Sequence, residues 1–179
     1  MRCFLALPVP DALIPPLLAV QEAIPVGRAV PEENLHLTLA FLDEQPEYAL
    51  AELDAALAPV LPGCTLALDG LVSFGGRRVK LLAAGVVPEL GLVALRATAL
   101  TAVRAAGIEL PRERFRPHIT LIRFGAGLRE SDRARLEAGV AQVAGLRSAP
   151  EPVCALRLVG SVLTPGGAIY ETLAEWPLG

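Results

Sequence analysis

Two short segments of this chain combine the alternation of a β-strand with the same pair of polar residues. His36-Leu37-Thr38-Leu39 and His118-Ile119-Thr120-Leu121 share one four-residue frame, and they contain the only two histidines of the chain. Because residues two apart on a strand share a face, each His stands beside a Thr while the aliphatic residues point into the core. A polar pair on an apolar strand is costly unless it faces a cleft. The sequence therefore predicts two strands whose His-Thr faces line a cleft.

The rest of the chain supplies helices and hairpins around these two strands. The spacing of apolar residues predicts helices over residues 11–23, 46–58, 90–106 and 130–143, and strands over residues 4–7, 35–42 and 117–124. One predicted hairpin joins residues 65–73 and 78–86 around Gly75-Gly76, and a second joins residues 153–163 and 168–174 around Gly166-Gly167. The order helix, His-Thr strand, helix, Gly-Gly hairpin thus occurs twice, which indicates a weak internal repeat.

The repeat predicts one domain over residues 1–179 with an α+β fold made of two pseudo-symmetric lobes. Each lobe is expected to hold an antiparallel sheet with flanking helices, and the lobes are expected to meet near residue 87 around a central cleft. A chain that is 53% hydrophobic and 20% charged can bury such a core, which excludes a disordered protein.

Charge and cysteine content narrow the classes of function. A net charge of -3 argues against a protein that coats long nucleic acid, although it leaves room for a basic pocket that grips one or two phosphates. Cys3, Cys64 and Cys154 are scattered and odd in number, which indicates a reducing compartment and no disulfide framework. Since no segment resembles a signal peptide or a membrane span, we expect a cytoplasmic protein without a membrane partner. The absence of an obvious exposed apolar helix predicts a monomer.

The paired His-Thr frames suit acid–base chemistry at a phosphodiester. An imidazole with an ordinary pKa of about 6.5 can give or take a proton near neutral pH. With His36 and His118 on opposite sides of the phosphorus, one would take a proton from water while the other protonates the departing oxygen. Thr38 and Thr120 would hydrogen-bond the non-bridging oxygens. A single such His is more often an ordinary core residue, but the doubled frame favours function. Such a site needs no metal, and two His without convergent carboxylates or thiolates are too few for a structural zinc.

The doubled motif resembles the signature of the two-histidine phosphoesterase superfamily. Its flanks resemble the bacterial and archaeal RNA 2',3'-cyclic phosphodiesterases, also called 2'-5' RNA ligases. The similar flanks are Arg2-Cys3-Phe4-Leu5-Ala6, Pro31-Glu32-Glu33-Asn34-Leu35, Ala40-Phe41-Leu42, Arg116-Pro117, Ile122-Arg123, Ser161-Val162-Leu163 and Gly167-Ala168-Ile169-Tyr170.

This resemblance implies a bilobal α+β fold and cofactor-free hydrolysis of an RNA 2',3'-cyclic phosphate to a 2'-phosphomonoester. RNA ends, with tRNA halves among them, would be the substrates, and 2'-5' ligation would be a side activity. The resemblance implies that His36 protonates the leaving 3'-oxygen and that His118 activates water. The two motifs are too symmetric for the residues themselves to assign these roles.

The resemblance also implies that Arg123 contacts phosphate and that Phe41 stacks on the terminal base. Each lies five residues after a motif His, and strict alternation would place it on the opposite face of its strand. Either the strands bend or end before these residues, or the two are a core Phe and a surface Arg. A further departure is Asp43, which stands where the family usually has a glycine.

Two alternatives remain open from the sequence. The same two-histidine site could act on small cyclic nucleotides or 2'-5' oligonucleotides, which the acidic pI of about 5.4 mildly favours. The chain could instead be a non-catalytic module that binds RNA ends, although intact His and Thr residues in both motifs argue against that.

Overall fold

The computed structural model describes residues 1–164 and 167–179, so Gly166 of the predicted second hairpin lies outside the described residues. The helices are α1 (Ile14–Ala23), α2 (Glu47–Leu57), α3 (Leu90–Ala105) and α4 (Glu130–Gln142). The strands are β1 (Arg2–Pro8), β2 (Arg28–Ala29), β3 (His36–Glu44), β4 (Thr65–Leu66), β5 (Leu68–Phe74), β6 (Leu81–Val86), β7 (His118–Arg123), β8 (Glu151–Pro152), β9 (Ala155–Thr164) and β10 (Gly167–Pro177).

One antiparallel sheet runs through the molecule in the order β10-β9-β1-β3-β7-β6-β5, with β2 added along β7. The strands β4 and β8 form a separate two-stranded sheet. The two motif strands, β3 and β7, are neighbours in the middle of the large sheet and are joined through the pair Leu37 and Ile119. The predicted α+β class with antiparallel strands is confirmed.

The strand pairing differs from the predicted meeting of two lobes near residue 87. The hairpin β5-β6 comes from the first half of the chain but pairs with β7, and the hairpin β9-β10 comes from the second half but pairs with β1. Each half of the chain therefore gives its hairpin to the other half. The alternation that identifies a strand specifies which face is buried and carries no information about the partner strand, so the sequence could not reveal this exchange.

The helices also cross between the halves. The helix α1 packs against β7 and α4, whereas α3 packs against β3 and α2. The helix α3 buries a stripe with helical spacing, formed by Leu92, Leu95, Ala99, Ala102 and Val103. Because Leu37 and Ile119 belong to the same buried cluster as this stripe, the His-Thr faces of β3 and β7 point away from the helices.

The C-terminal strand β10 carries the one tryptophan of the chain. Trp176 of β10 is buried, and its Nε1–H donates a hydrogen bond to Asp54 Oδ1 of α2 at 3.0 Å. Trp176 is therefore a packing residue and is not available to stack on a base.

Candidate active site

The pair Leu37 and Ile119 places the two motifs side by side. In the antiparallel register around this pair, His36 lies opposite Thr120 and Thr38 lies opposite His118. All four side chains are half-buried. Each histidine thus lies next to the threonine of the other motif, and the four groups form one polar cluster with approximate twofold symmetry.

The same hydrogen bond orients both imidazoles. His36 Nδ1 lies 2.7 Å from the carbonyl oxygen of Asn34, and His118 Nδ1 lies 2.7 Å from the carbonyl oxygen of Arg116. Because a carbonyl oxygen only accepts, Nδ1 of each ring carries a proton and donates it. The Nε2 atom of each ring is therefore the one that can take or give a proton at the cleft.

Two aromatic rings enclose His36. Its ring stacks on Phe4 with centroids 4.9 Å apart, and the Tyr170 ring meets it edge-on at 5.4 Å. Burial lowers the pKa of His36, the positive charges of Arg123 and His118 lower it further, and the hydrogen bond to Asn34 opposes them. The net effect is a pKa below the ordinary histidine value, so the free protein favours neutral His36.

His118 lies against a single aromatic ring, that of Phe74, with centroids 4.4 Å apart. The guanidinium carbon of Arg116 lies 4.7 Å from the centroid of the same ring. The sequence analysis did not single out Phe4, Phe74 or Tyr170 for these contacts. A signal was present, since the chain has only five Phe and two Tyr, and three of these seven touch a motif histidine.

A β-bulge in β3 decides where Phe41 points. The pairing of β3 with β1 passes over Leu39, and both Leu39 and Ala40 are buried. The extra residue shifts the alternation by one position. Phe41 consequently returns to the face of His36; its side chain is 61% exposed, and its ring centroid lies 5.8 Å from that of Phe4.

An equivalent bulge in β7 decides where Arg123 points. The pairing of β7 with β6 passes over Leu121, and both Leu121 and Ile122 are buried. Arg123 is exposed and lines a cavity of about 270 Å³ together with His36 and Thr120. The sequence left open whether the strands are irregular before Phe41 and Arg123 or whether these are a core Phe and a surface Arg. The structure has an irregular strand at both positions.

A helix side chain holds the backbone of each bulge. Arg96 Nε of α3 donates to the carbonyl oxygen of Leu39 at 3.2 Å. Gln21 Nε2 of α1 donates to the carbonyl oxygen of Leu121 at 2.9 Å, and to that of Val30 at 2.8 Å. The sequence analysis missed both residues, although each is a polar residue close to the buried apolar stripe of its helix.

The arrangement places two imidazoles and two threonine hydroxyls on one face of the β3-β7 pair. Thr38 and His118 line a cavity of about 440 Å³, and His36 and Thr120 line one of about 270 Å³. The residues described contain no group of three or more His, Cys, Asp and Glu side chains that could hold a metal ion. None of the helices in the described ranges is long and apolar enough to cross a membrane.

Comparison with known proteins finds matches over nearly the whole chain. The model of the 2'-5' RNA ligase superfamily matches residues 10–159. An RNA 2',3'-cyclic phosphodiesterase of Geobacillus stearothermophilus is 34% identical over 160 residues, which are 87% of this chain and 49% of that protein. This chain therefore spans about half the length of that relative.

Two further relatives match end to end. An RNA 2',3'-cyclic phosphodiesterase of Archaeoglobus fulgidus is 29% identical over 184 residues, covering 97% of this chain and 98% of that protein. The crystal structure of Escherichia coli LigT in complex with 3'-AMP superposes with a TM-score of 0.76 at 25% identity, over 99% of this chain and 97% of that one.

Proposed function

Because this chain belongs to the 2'-5' RNA ligase superfamily, we propose that it hydrolyses RNA 2',3'-cyclic phosphate ends to 2'-phosphomonoesters, with His36 and His118 transferring the protons. The observation that carries the proposal is the pair of imidazoles on one face of β3 and β7, whose Nδ1 atoms both donate to carbonyl oxygens, so that Nε2 of each ring is the atom that can transfer a proton. The names of the relatives from Geobacillus and Archaeoglobus support the choice of substrate.

The chemical step is an in-line displacement at phosphorus. The neutral histidine takes a proton through Nε2 from a water molecule as that water attacks the phosphorus. The bond to the 3'-oxygen breaks, and the protonated histidine gives its Nε2 proton to this oxygen. The 2'-oxygen stays on phosphorus, so one water and one cyclic phosphate become a 2'-phosphate and a 3'-hydroxyl.

Neighbouring polar groups stabilise the charge on the phosphoryl oxygens. The hydroxyls of Thr38 and Thr120 donate hydrogen bonds to the non-bridging oxygens, and the guanidinium of Arg123 adds positive charge beside them. Phe41, exposed on the same face, stacks on the terminal base.

The family resemblance makes His36 the acid and His118 the base. Burial holds the pKa of His36 low in the free protein, and this disfavours the protonated form that an acid needs. The negative charge of a bound phosphodiester raises the pKa of an adjacent imidazole. Substrate binding thus charges His36 at the moment when its proton is required.

The same displacement accounts for ligation as a side activity. If a 5'-hydroxyl of a second RNA takes the place of water, the product is a 2'-5' phosphodiester and the proton transfers are unchanged. RNA ends that arise by cleavage, tRNA halves among them, carry the groups that both reactions need.

The test uses a short RNA that ends in a 2',3'-cyclic phosphate, incubated with purified protein in excess EDTA. We expect wild type to form a 2'-phosphate end, and we expect His36→Ala and His118→Ala each to lower the rate by about a hundredfold or more, the scale of lost general acid–base catalysis. Arg135→Ala, at an exposed position of α4, is the control and should retain the wild-type rate.

Each other outcome has a definite meaning. Inhibition by EDTA would show that a metal takes part and would refute the two-histidine mechanism. Histidine variants with wild-type rates would refute the assignment of the proton-transfer groups. A wild type that binds the RNA end but never hydrolyses it would favour the binding module.

A further inference from the structure

A groove lined by arginines opens beside the proposed catalytic cleft. It has a volume of about 440 Å³ and includes Thr38 and His118 among its walls, so it is continuous with the cluster of the two motifs. Cavities of about 300–1,000 Å³ hold ligands of drug size, and a nucleotide falls within that range. The arginines of this groove, called the arginine groove below, are Arg96, Arg104, Arg112, Arg114 and Arg116.

The charge of the arginine groove is opposite to that of the whole chain. Its walls carry five arginines but only two carboxylates, Asp43 and Glu113, whereas the chain has a net charge of -3. Among the residues that the structure describes, none of these five arginines has a carboxylate oxygen within 4.0 Å. The groove therefore concentrates positive charge that is not neutralised within the protein, which favours an anionic ligand.

The aromatic residues of the groove narrow the class of anion. Phe41 and Phe74 line it together with the arginines, and Phe41 is 61% exposed. Positive charge interleaved with accessible aromatic rings is the composition of sites that bind single-stranded nucleic acid, where cations contact phosphates and rings stack on bases. A single phosphate would use the charge but would leave the exposed ring of Phe41 without a partner from the ligand.

We propose that the arginine groove binds the RNA strand on the 5' side of the terminal nucleotide, with Arg112 and Arg114 contacting its phosphates. The inference rests on the proposed hydrolysis of cyclic phosphate ends and specifies its substrate as an oligonucleotide. The terminal nucleotide lies at the motif cluster and against Phe41, and the preceding nucleotides continue along the arginines.

A groove of this kind separates binding of the strand from the chemical step. Contacts to distant phosphates form equally in the bound substrate and in the transition state, so they lower KM and leave kcat unchanged. A cyclic mononucleotide cannot make them. We therefore expect kcat/KM to be higher for a short RNA with a cyclic phosphate end than for 2',3'-cyclic AMP.

The experiment compares these two substrates in wild type and in the double variant Arg112→Gln/Arg114→Gln. The variant should lose about tenfold in kcat/KM on a five-nucleotide RNA through a higher KM, the scale of two exposed charge contacts. Its kcat/KM on 2',3'-cyclic AMP should stay within about twofold of wild type, because neither arginine touches the terminal nucleotide. The control Arg133→Gln/Arg135→Gln removes the same charge from exposed positions of α4 and should change neither value.

A binding measurement makes the inference independent of turnover. Fluorescence anisotropy with a labelled five-nucleotide RNA that ends in a 3'-phosphate reports affinity whether or not the protein hydrolyses anything. The double variant should bind more weakly, and the slope of log affinity against log salt should become shallower by about 1.4 if two phosphate contacts are lost.

The outcomes distinguish the inference from the proposed function. Unchanged oligonucleotide binding and kinetics in the double variant would overturn the inference, while continued hydrolysis would leave the proposed function standing. An equal loss on both substrates would place Arg112 and Arg114 at the terminal nucleotide and would also overturn it. If wild type hydrolyses neither substrate, the proposed function fails, and the anisotropy data decide the inference.

Discussion

Among single residues, His36 combines a place in the proposed active site with an ionisation that the fold changes. Burial beside Phe4 and Tyr170 lowers its pKa, and the charges of Arg123 and His118 add to this effect. Between the folded pKa and the unfolded value of about 6.5, the unfolded chain binds more protons than the folded one. The contribution of His36 to stability is therefore complete above about pH 6.5 and is lost as the pH falls through the folded pKa.

Replacing Arg123 by Gln should raise the pKa of His36. The substitution removes one of the positive charges that disfavour the imidazolium, while the burial of the ring, which is the larger cause, remains. An NMR titration of the two histidine Cε1–H signals, assigned with His118→Ala, measures the midpoint directly. The control Arg135→Gln should leave the midpoint where it is in wild type, and a lower or unchanged midpoint in Arg123→Gln would contradict the expected electrostatic contact.

Single residues allowed a structural prediction where few residue types can adopt the required backbone conformation or perform the required chemistry. Asp43, marked as standing in place of a glycine, adopts φ 56°, and it is the one non-glycine residue with a positive φ in the described ranges. The left-handed region explains why glycine suits this position, since asparagine and aspartate are the side chains that tolerate it best after glycine. The roles of His36, His118, Thr38, Thr120, Arg123 and Phe41 remain predictions, now with a common face and common cavities.

At the level of elements, long periodic segments were predictable and short or irregular ones were not. The predicted helices 46–58, 90–106 and 130–143 agree with α2, α3 and α4 to within one residue at each end. The predicted helix 11–23 begins later, at Ile14, after a turn of 3-10 helix over Asp11–Leu13. The two-residue strands β2 and β8 were missed, because two residues carry no periodicity. The predicted strand 65–73 covers both β4 and β5, which the structure separates at residue 67.

The bulges of β3 and β7 could not be predicted from the alternation of apolar and polar residues, for a related reason. A bulge adds one residue, and the apolar pairs Leu39-Ala40 and Leu121-Ile122 fit the core in either phase. The sequence therefore left the faces of Phe41 and Arg123 undecided. The helix side chains that hold these bulges come from α1 and α3, which lie far from the strands in sequence.

We expect Arg96 of α3 to hold the bulge of β3 in place. The variant Arg96→Met keeps an unbranched apolar stem but removes the donor to the Leu39 carbonyl and the cation 4.5 Å from the Phe115 ring centroid. We expect the free energy of unfolding to fall by about 1.5–3 kcal/mol, the worth of a hydrogen bond with a charged partner. We also expect kcat to fall, because the bulge aims Phe41 at the cleft.

Urea denaturation and steady-state kinetics on the same preparations measure these two effects. The matched change on the other motif strand is Gln21→Leu in α1, which removes the donor to Leu121 and should likewise lower kcat. Thr101→Ala, on an exposed turn of α3, is the control for changes to the helix itself. An Arg96→Met protein with wild-type kcat would show that the bulge keeps its form without this hydrogen bond.

At the scale of the whole molecule, the exchange of hairpins makes the two halves of the chain depend on each other. The interior strand β1 pairs on one side with β3 and on the other with β9, and β7 pairs with β6. A chain of residues 1–150 would lack β9 and β10. One edge of β1, the edge along which Leu5 pairs with β9 in the full chain, would then be unpaired. We expect such a chain to lack the near-UV circular dichroism and the cooperative urea transition of the full chain. A cooperative transition in the shortened chain would mean that β1 and β3 are stable without the C-terminal hairpin.

The pairing of β9 with β1 also determines when the sheet can be completed during translation. Phe4, which stacks on His36, lies on β1, and its pairing partner in β9 is Val159. A ribosome makes the first of these two strands long before the second, so the nascent chain carries an open apolar strand edge through most of translation. Such edges pair readily with other chains. The late arrival of the C-terminal hairpin leaves this edge of β1 open until β9 has been made. Tyr170 belongs to the same hairpin, so its contact with His36 also forms late.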